Sequence, residues 1–174
     1  MREHFEFISR TPVLSAALMT VLILLLAVFP ALPIRGEMLD VRAGYTYPEV
    51  VAAMEGYGEQ GRRVYAWSSG ILDTLMPVAY VSLLAGVVYR FRFTDRLWRL
   101  AHLPLAAGVL DVCENVLIVL MLTRYPDVSA GHVAVASFFT ASKRYAVSIC
   151  VALAVALAFA AAVRRGRRGL DRTS

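Results

Sequence analysis

Charged residues are scarce in this chain: they make up 18% of its 174 residues, where a soluble globular domain carries about 25%. Cysteine is scarcer still, at two residues, too few for a disulfide framework. H-E-x-x-H, G-x-S-x-G and C-x-x-C are all missing, so the chain carries no motif for a zinc protease, a hydrolase nucleophile or a thiol-redox pair. What is present is apolar, 59% of the residues, with a mean hydropathy of +0.61. That balance excludes both a water-soluble globule and intrinsic disorder.

The lengths of the uncharged runs turn composition into architecture, because a helix rises about 1.5 Å per residue and has about 30 Å of hydrocarbon to cross. Four runs qualify. Thr11 to Ile34 has no charge, opens with Thr11 as N-cap and Pro12 at the first helical position, and closes at Pro30 and Pro33. Val64 to Tyr89 carries one charge, Asp73, and Leu100 to Thr123 carries Asp111 and Glu114. Val128 to Val163 holds Lys143 and Arg144 and is too long to lie wholly in hydrocarbon. The expectation is a single all-α integral membrane domain over residues 1–174, a bundle of four transmembrane helices plus a short extracytoplasmic amphipathic helix. Its spans lie near 12–33, 64–89, 100–123 and 131–163, with an outer loop at 34–63 and a basic cytoplasmic tail at 164–174. The leading segment MREHFEFISR has no net positive charge and no A-x-A-like site follows the first run, so that run reads as a retained span and not a cleaved signal peptide.

Orientation follows from arginine. With four spans, the N-terminus, the Arg90–Arg99 loop and the tail share one side, and they hold eleven Arg against four acids; the other side holds five Arg against six acids. Cytoplasmic loops accumulate Lys and Arg, so both termini are expected in the cytoplasm. The net charge of +5 is then a consequence of topology: basic segments beside a span meet anionic lipid headgroups at about 1 kcal/mol per base, and no nucleic-acid partner is expected.

The outer loop has a helix signature. Thr46 and Glu49 have capping-box spacing, Val50, Met54 and Tyr57 fall at i, i+4 and i+7, and Gly56 and Gly58 are stop signals. This helix reads either as a membrane-surface anchor or as a lid over a polar site. In the fourth run, Ala152, Ala156 and Ala160 form one i+4 row and Ala154, Ala158 and Ala162 another, which places that span at the centre of the bundle or at an oligomer contact. Trp67 and Trp98 read as interface belt residues.

Helix arithmetic puts the charges inside the spans at similar depth. Asp73 lies about 14 Å below Val64, Asp111 and Glu114 about 17 and 21 Å above Leu100, and Arg144 about 29 Å above Val163. Asp111, Glu114 and Asn115 share one face, with Ala107 and Gly108 a turn away. Ser69, Asp73, Pro77 and Tyr80 line up in the second span, and Ser137, Thr140, Arg144 and Ser148 in the fourth, with Lys143 about 100° to their side. Pro77 removes the bond its N–H would have made to the Asp73 carbonyl, and such a break is tolerated at membrane depth only where another group takes over that carbonyl.

An ionisable residue inside a span is a functional candidate by default. In the preferred reading, a lipid or isoprenoid substrate enters sideways, Asp111 and Glu114 form an acid/base pair beside Asp73, and Lys143 and Arg144 hold a phosphate at headgroup depth. Asn115 and Tyr80 complete the substrate-binding set. Two alternatives use the same residues: a small-solute, ion or proton transporter working as an oligomer, and a structural or accessory membrane subunit in which the acids and bases form an interhelical ion-pair network. His102 and His132 fall near opposite membrane faces and the two Cys lack ligand spacing, so no metal and no cofactor is expected. Membrane lipids, a homo-oligomer or a partner membrane protein are the expected partners. The segments GYTYPEV (Gly44–Val50) and DVCEN (Asp111–Asn115) resemble small bacterial membrane proteins, a resemblance that implies a bacterial cytoplasmic (inner) membrane and carries no activity with it.

Overall fold

The computed structural model describes residues 2–170, with side chains to residue 166. Among those residues the chain is all-helical, 87% helix with no strands. The helices are α1 (Arg2–Ile8), α2 (Thr11–Ile23), α3 (Tyr47–Phe91), α4 (Leu103–Arg124) and α5 (Ala130–Leu170). A π turn, Leu24–Val28, and a 3-10 turn, Phe29–Ala31, prolong α2, and a 3-10 segment, Asp95–His102, leads into α4. Four stretches are long and apolar enough to cross a membrane: Thr11–Ala31, Tyr47–Phe91, Asp95–Arg124 and Ala130–Gly166. They contain the second and third runs read from the sequence and overlap the first and fourth, which overhang by three residues at Leu32–Ile34 and by two at Val128–Ser129.

The local differences have identifiable causes. Arg10, not Thr11, is the residue before the first turn of α2 (φ −67°, ψ 140°); Thr11 is already helical and its hydroxyl accepts a hydrogen bond from Arg90 at 2.9 Å. The first residues, read only for their charge, fold as α1 because Phe5 and Ile8 have somewhere to go. Phe5 stacks on Tyr89 at 5.7 Å and meets His102 edge-on at 4.8 Å. Gly86 makes that approach possible, since a Cβ there would stand 2.6 Å from the Ile8 carbonyl oxygen. The basic segment expected as a tail from 164 continues α5 to Leu170, and 171–174, with Arg172, lie outside the described residues.

The outer-loop helix and the second span are one helix with a break. At its start the Thr46 hydroxyl and backbone N–H both donate to Glu49 Oε2 at 2.7 Å; the hydroxyl bond first, then the backbone bond, holds the Glu49 carboxyl below the ordinary carboxylate range. At Gly58 the backbone turns into the left-handed region (φ 64°, ψ 176°), which glycine enters without steric cost. The helix between these points buries Val50, Met54 and Tyr57 in a cluster with Leu39, Tyr65, Ile118, Met121 and Val133. Its apolar face is therefore packed against the protein.

The most enclosed helices are α3 and α4. In their apolar stretches 39% and 44% of residues are buried, against 17% in α5 and 11% in α2, so of the two places expected for the Ala-rich fourth span, the centre of the bundle is corrected, while an oligomer contact is a separate matter that a single chain does not touch. Small residues permit close approach without compelling it; here Gly108 of α4 does the work, where a Cβ would stand 2.7 Å from Val81 Cγ2 of α3. Ala154 faces inward while Ala152 and Ala156 are exposed. A second apolar cluster, with Phe5, Leu84, Val88, Ala107, Cys150 and Leu157, fills the other end. Between the two clusters lie the buried polar residues Ser68, Ser69 and Asp73 of α3, Asp111, Glu114 and Asn115 of α4, and Thr140 of α5.

Candidate functional site

The polar layer is built from three helices. On α4 the buried positions repeat every seven residues, as Pro104, Asp111 and Ile118, then Ala107, Glu114 and Met121, then Gly108, Asn115 and Leu122, the spacing of helices that pack nearly parallel. Asp111, Glu114 and Asn115 occupy the middle of that seam. Each is charged or polar where its neighbours one heptad away are apolar or glycine, so the sequence places a polar layer inside an otherwise apolar interface.

Lys143 of α5 forms ion pairs with both acids of α4. Its Nζ lies 3.4 Å from Asp111 Oδ1 and is also paired with Glu114 Oε2. The side chains are closed off from solvent: exposure is 16% for Lys143, 9% for Asp111 and 0% for Glu114. Thr140, fully buried, donates to Glu114 Oε1 at 2.6 Å and lies 3.2 Å from the Tyr45 hydroxyl. Lys143 is the only lysine in the chain, against seventeen arginines. Its compact ammonium, a point charge with three donors, reaches both carboxylates.

The contribution of α3 is Asp73, and here the proline argument is answered directly. Asn115 Nδ2 donates to the Asp73 carbonyl at 2.9 Å, so the acceptor freed by Pro77 is taken over by the amide of α4. The Asp73 carboxylate itself, on a residue 7% exposed, has no ion-pair partner among the described residues. Beside it, one turn back, the Ser69 hydroxyl is fully buried without a hydrogen-bond partner, as is the Tyr80 hydroxyl. Three buried carboxylates thus face one buried ammonium.

Arg144 is where the expectation and the structure part. It is exposed, and the pair of adjacent bases expected to hold a phosphate is not formed. The reason is periodicity. The stripe Ser137, Thr140, Arg144 and Ser148 leans on i+4 steps, each of which advances 40° beyond a full turn. The inward face of α5 instead alternates four and three, through Ala136, Thr140, Lys143, Val147, Cys150, Ala154 and Leu157, which keeps one face toward its neighbours. Ser148 is exposed for the same reason. Of the seven residues named from the sequence, the structure brings together Asp73, Asp111, Glu114, Asn115 and Lys143, sets Tyr80 at the edge with its hydroxyl near Asp111, and leaves out Arg144.

Sequence reasoning missed the roof of this layer. Segment 34–46 is held over it by three tyrosines. The Tyr65 hydroxyl accepts from the Leu39 N–H at 2.8 Å and donates to Asp40 Oδ1 at 2.6 Å. The Tyr57 hydroxyl donates to the Glu37 carbonyl at 2.6 Å. Tyr45 enters from the loop itself, its N–H donating to Ser137 Oγ at 2.9 Å. Burial pushes the Tyr45 hydroxyl up to about 12 and does the same to Tyr57, also to about 12. Nothing periodic marks Tyr45 as a site residue; the only local signal is Gly44 before it, at φ 147°. Among the described residues no group of three His, Cys, Asp or Glu is arranged to hold a metal ion. No family model matches the chain, and neither does any curated protein or solved structure.

Proposed function

We propose that the chain is a proton-linked integral membrane protein, a bundle of four spans in a bacterial cytoplasmic membrane with both termini in the cytoplasm. Its Asp73, Asp111, Glu114 and Lys143 centre takes up and releases protons, coupled in an oligomer to the passage of a small solute or of the proton itself. The observation that carries this reading is the charge count: three buried carboxylates share a single buried ammonium, so neutrality requires two further positive charges. In hydrocarbon an uncompensated charge is expensive, and protons supply the balance without a cavity. The Thr140 and Tyr45 hydroxyls give Glu114 a hydrogen-bonded connection toward the outer loop, and Tyr80 adjoins Asp111 on the other side.

The lipid- or isoprenoid-acting reading drew its support from Lys143 and Arg144 as neighbouring phosphate ligands. With Arg144 exposed and Lys143 engaged by two carboxylates, the two bases do not form a joint site, and we give proton linkage precedence. The purely structural network is weakened by Asp73, which has no base to pair with.

The test is a proton flux. Purified protein in liposomes with an imposed pH gradient and an internal pH-sensitive dye is expected to collapse the gradient faster than protein-free liposomes, and Asp73→Asn and Glu114→Gln to slow it at least tenfold. Infrared spectra of the same samples are expected to contain a protonated carboxyl band that Asp73→Asn removes. Flux equal to that of empty liposomes together with an unchanged carboxyl band ends the proposal.

A further inference from the structure

We propose that a second site lies at the end of the molecule that carries α1 and the Asp95–His102 segment, and that it binds the phosphate diester headgroup of an anionic phospholipid through Arg2, Arg96 and Arg99 around Trp98. It rests on the four-span reading only in requiring that this end meet a headgroup layer; the polar layer between the helices plays no part in it.

A groove of about 320 Å³ opens here, lined by Arg2, Asp95, Arg96, Trp98 and Arg99. Its charge is unbalanced among the described residues. Asp95 is the one acid that lines it there and is already shared, with Arg2 at 3.2 Å and with Arg92 at 3.7 Å. Arg96 and Arg99 are exposed, and neither has a carboxylate partner among the described residues. A solvated basic surface has the same sign, but it has no reason to be organised around an indole. Here the indole is packed among other rings: the Phe5 ring lies 6.4 Å from Trp98 and the His102 ring 5.1 Å from it. The Arg2 guanidinium sits over the indole at 5.0 Å.

Each part matches a part of the ligand. Guanidinium groups present paired N–H donors that fit two oxygens of a phosphate. Trp settles at the boundary between headgroup and acyl chain, with its apolar ring toward the chains and its N–H toward water. Basic pockets at the cytoplasmic ends of spans are where anionic headgroups collect. A zwitterionic headgroup brings a phosphate and a compensating ammonium, so the surplus of guanidinium charge selects against it. The site is thereby specific for charge as well as for phosphate, and α1, which contributes Arg2 and fixes Trp98 through Phe5, completes it.

The experiment is native mass spectrometry of the full chain in detergent, titrated with phosphatidylglycerol and, separately, with phosphatidylcholine. The variants are Arg96→Gln/Arg99→Gln and, as a control on the basic stretch of α5, Arg164→Gln/Arg165→Gln. Expected are a preference for phosphatidylglycerol and a loss of roughly 30-fold in the Arg96/Arg99 double variant, from two bases at headgroup depth, with a clearly smaller loss in the control, which leaves the groove intact. All four positions are on the surface, so matching melting temperatures are expected and verify the comparison. Equal affinity for the two lipids, equal losses in the two double variants, or displacement by millimolar inorganic phosphate alone each overturns the site. Carbonate extraction separates the two readings: a chain stripped from membranes by carbonate overturns the four-span reading and this site with it, whereas one that resists carbonate but shows no lipid preference overturns the site alone.

Discussion

Replacing Lys143 by Met tests the charge count where it is most exposed to error. The substitution keeps the length of the side chain and removes the single positive charge from a layer in which Glu114 is 0% and Asp111 9% exposed at the side chain. Removing one partner of a buried ion pair costs about 3–5 kcal/mol, because the other is left as an uncompensated buried charge. Lys143 is 16% exposed, so solvent relieves little of this. At about 2–4 °C per kcal/mol for a chain of this size, the melting temperature falls by roughly 6–20 °C. Asp73→Asn breaks no ion pair: it replaces a carboxyl that has no base and that the proposal keeps protonated, so the melting temperature holds within about 2 °C of the parent. The pair Lys143→Met with Glu114→Gln recovers part of the loss, and the double-mutant cycle gives the coupling between them. The assay is thermal unfolding in detergent, followed through the fluorescence of Trp67 and Trp98. If Lys143→Met melts within about 2 °C of the parent, or Asp73→Asn loses as much as Lys143→Met, the three-to-one count is wrong as a description of the energetics.

Gly108→Ala places a Cβ 2.7 Å from Val81 Cγ2; valine has little rotamer freedom with which to yield, and overpacking of this kind costs about 1–3 kcal/mol, a loss that Val81→Ala in the same chain is expected to restore in a melting experiment. Alkaline pH is expected to loosen the cover over the polar layer. The Tyr45 and Tyr57 hydroxyls are raised by burial from 10.0 to about 12, so the folded chain keeps protons that the unfolded chain gives up; their contribution is fully present below pH 10 and is lost as pH rises from 10 toward 12. Denaturant midpoints at pH 9 and pH 11.5 check it: the parent is expected to weaken between them, Tyr45→Phe by less, and an unchanged difference in Tyr45→Phe excludes Tyr45 as a contributor.

Much of this was legible before any tertiary structure. Run lengths gave the four apolar helices, because hydrocarbon thickness is a fixed ruler that α-helix rise converts into residue number. The capping box at Thr46 and Glu49 and the buried stripe Val50, Met54 and Tyr57 were readable because both are local: a cap needs four residues, and a stripe needs only the helical period. Position along each helix was readable for the same reason, and it put Asp73, Asp111 and Glu114 in one layer, where the Asn115 and Lys143 contacts join them. Pro77 even stated what its surroundings had to supply, an acceptor's replacement partner, although not that Asn115 would be the one to supply it.

What tertiary structure decided was rotation and long-range partnership. A side chain's height along a helix accumulates slowly, at about 1.5 Å per residue, while its direction swings by about 100° per residue, so a small error in the assumed period moves Arg144 from the polar layer to the surface without changing its depth. The same swing brought Lys143 inward, and with that one exchange two bases became one and the layer acquired its surplus of negative charge. Tyr45, Tyr57 and Tyr65, holding a loop that lacks any period of its own, and Phe5, which gives α1 its seat beside Tyr89 and His102, depend on contacts between residues far apart in the chain. The sequence by itself determined that there are four long apolar helices and where along them the charges lie; which charges meet was settled only when the helices turned their faces to one another.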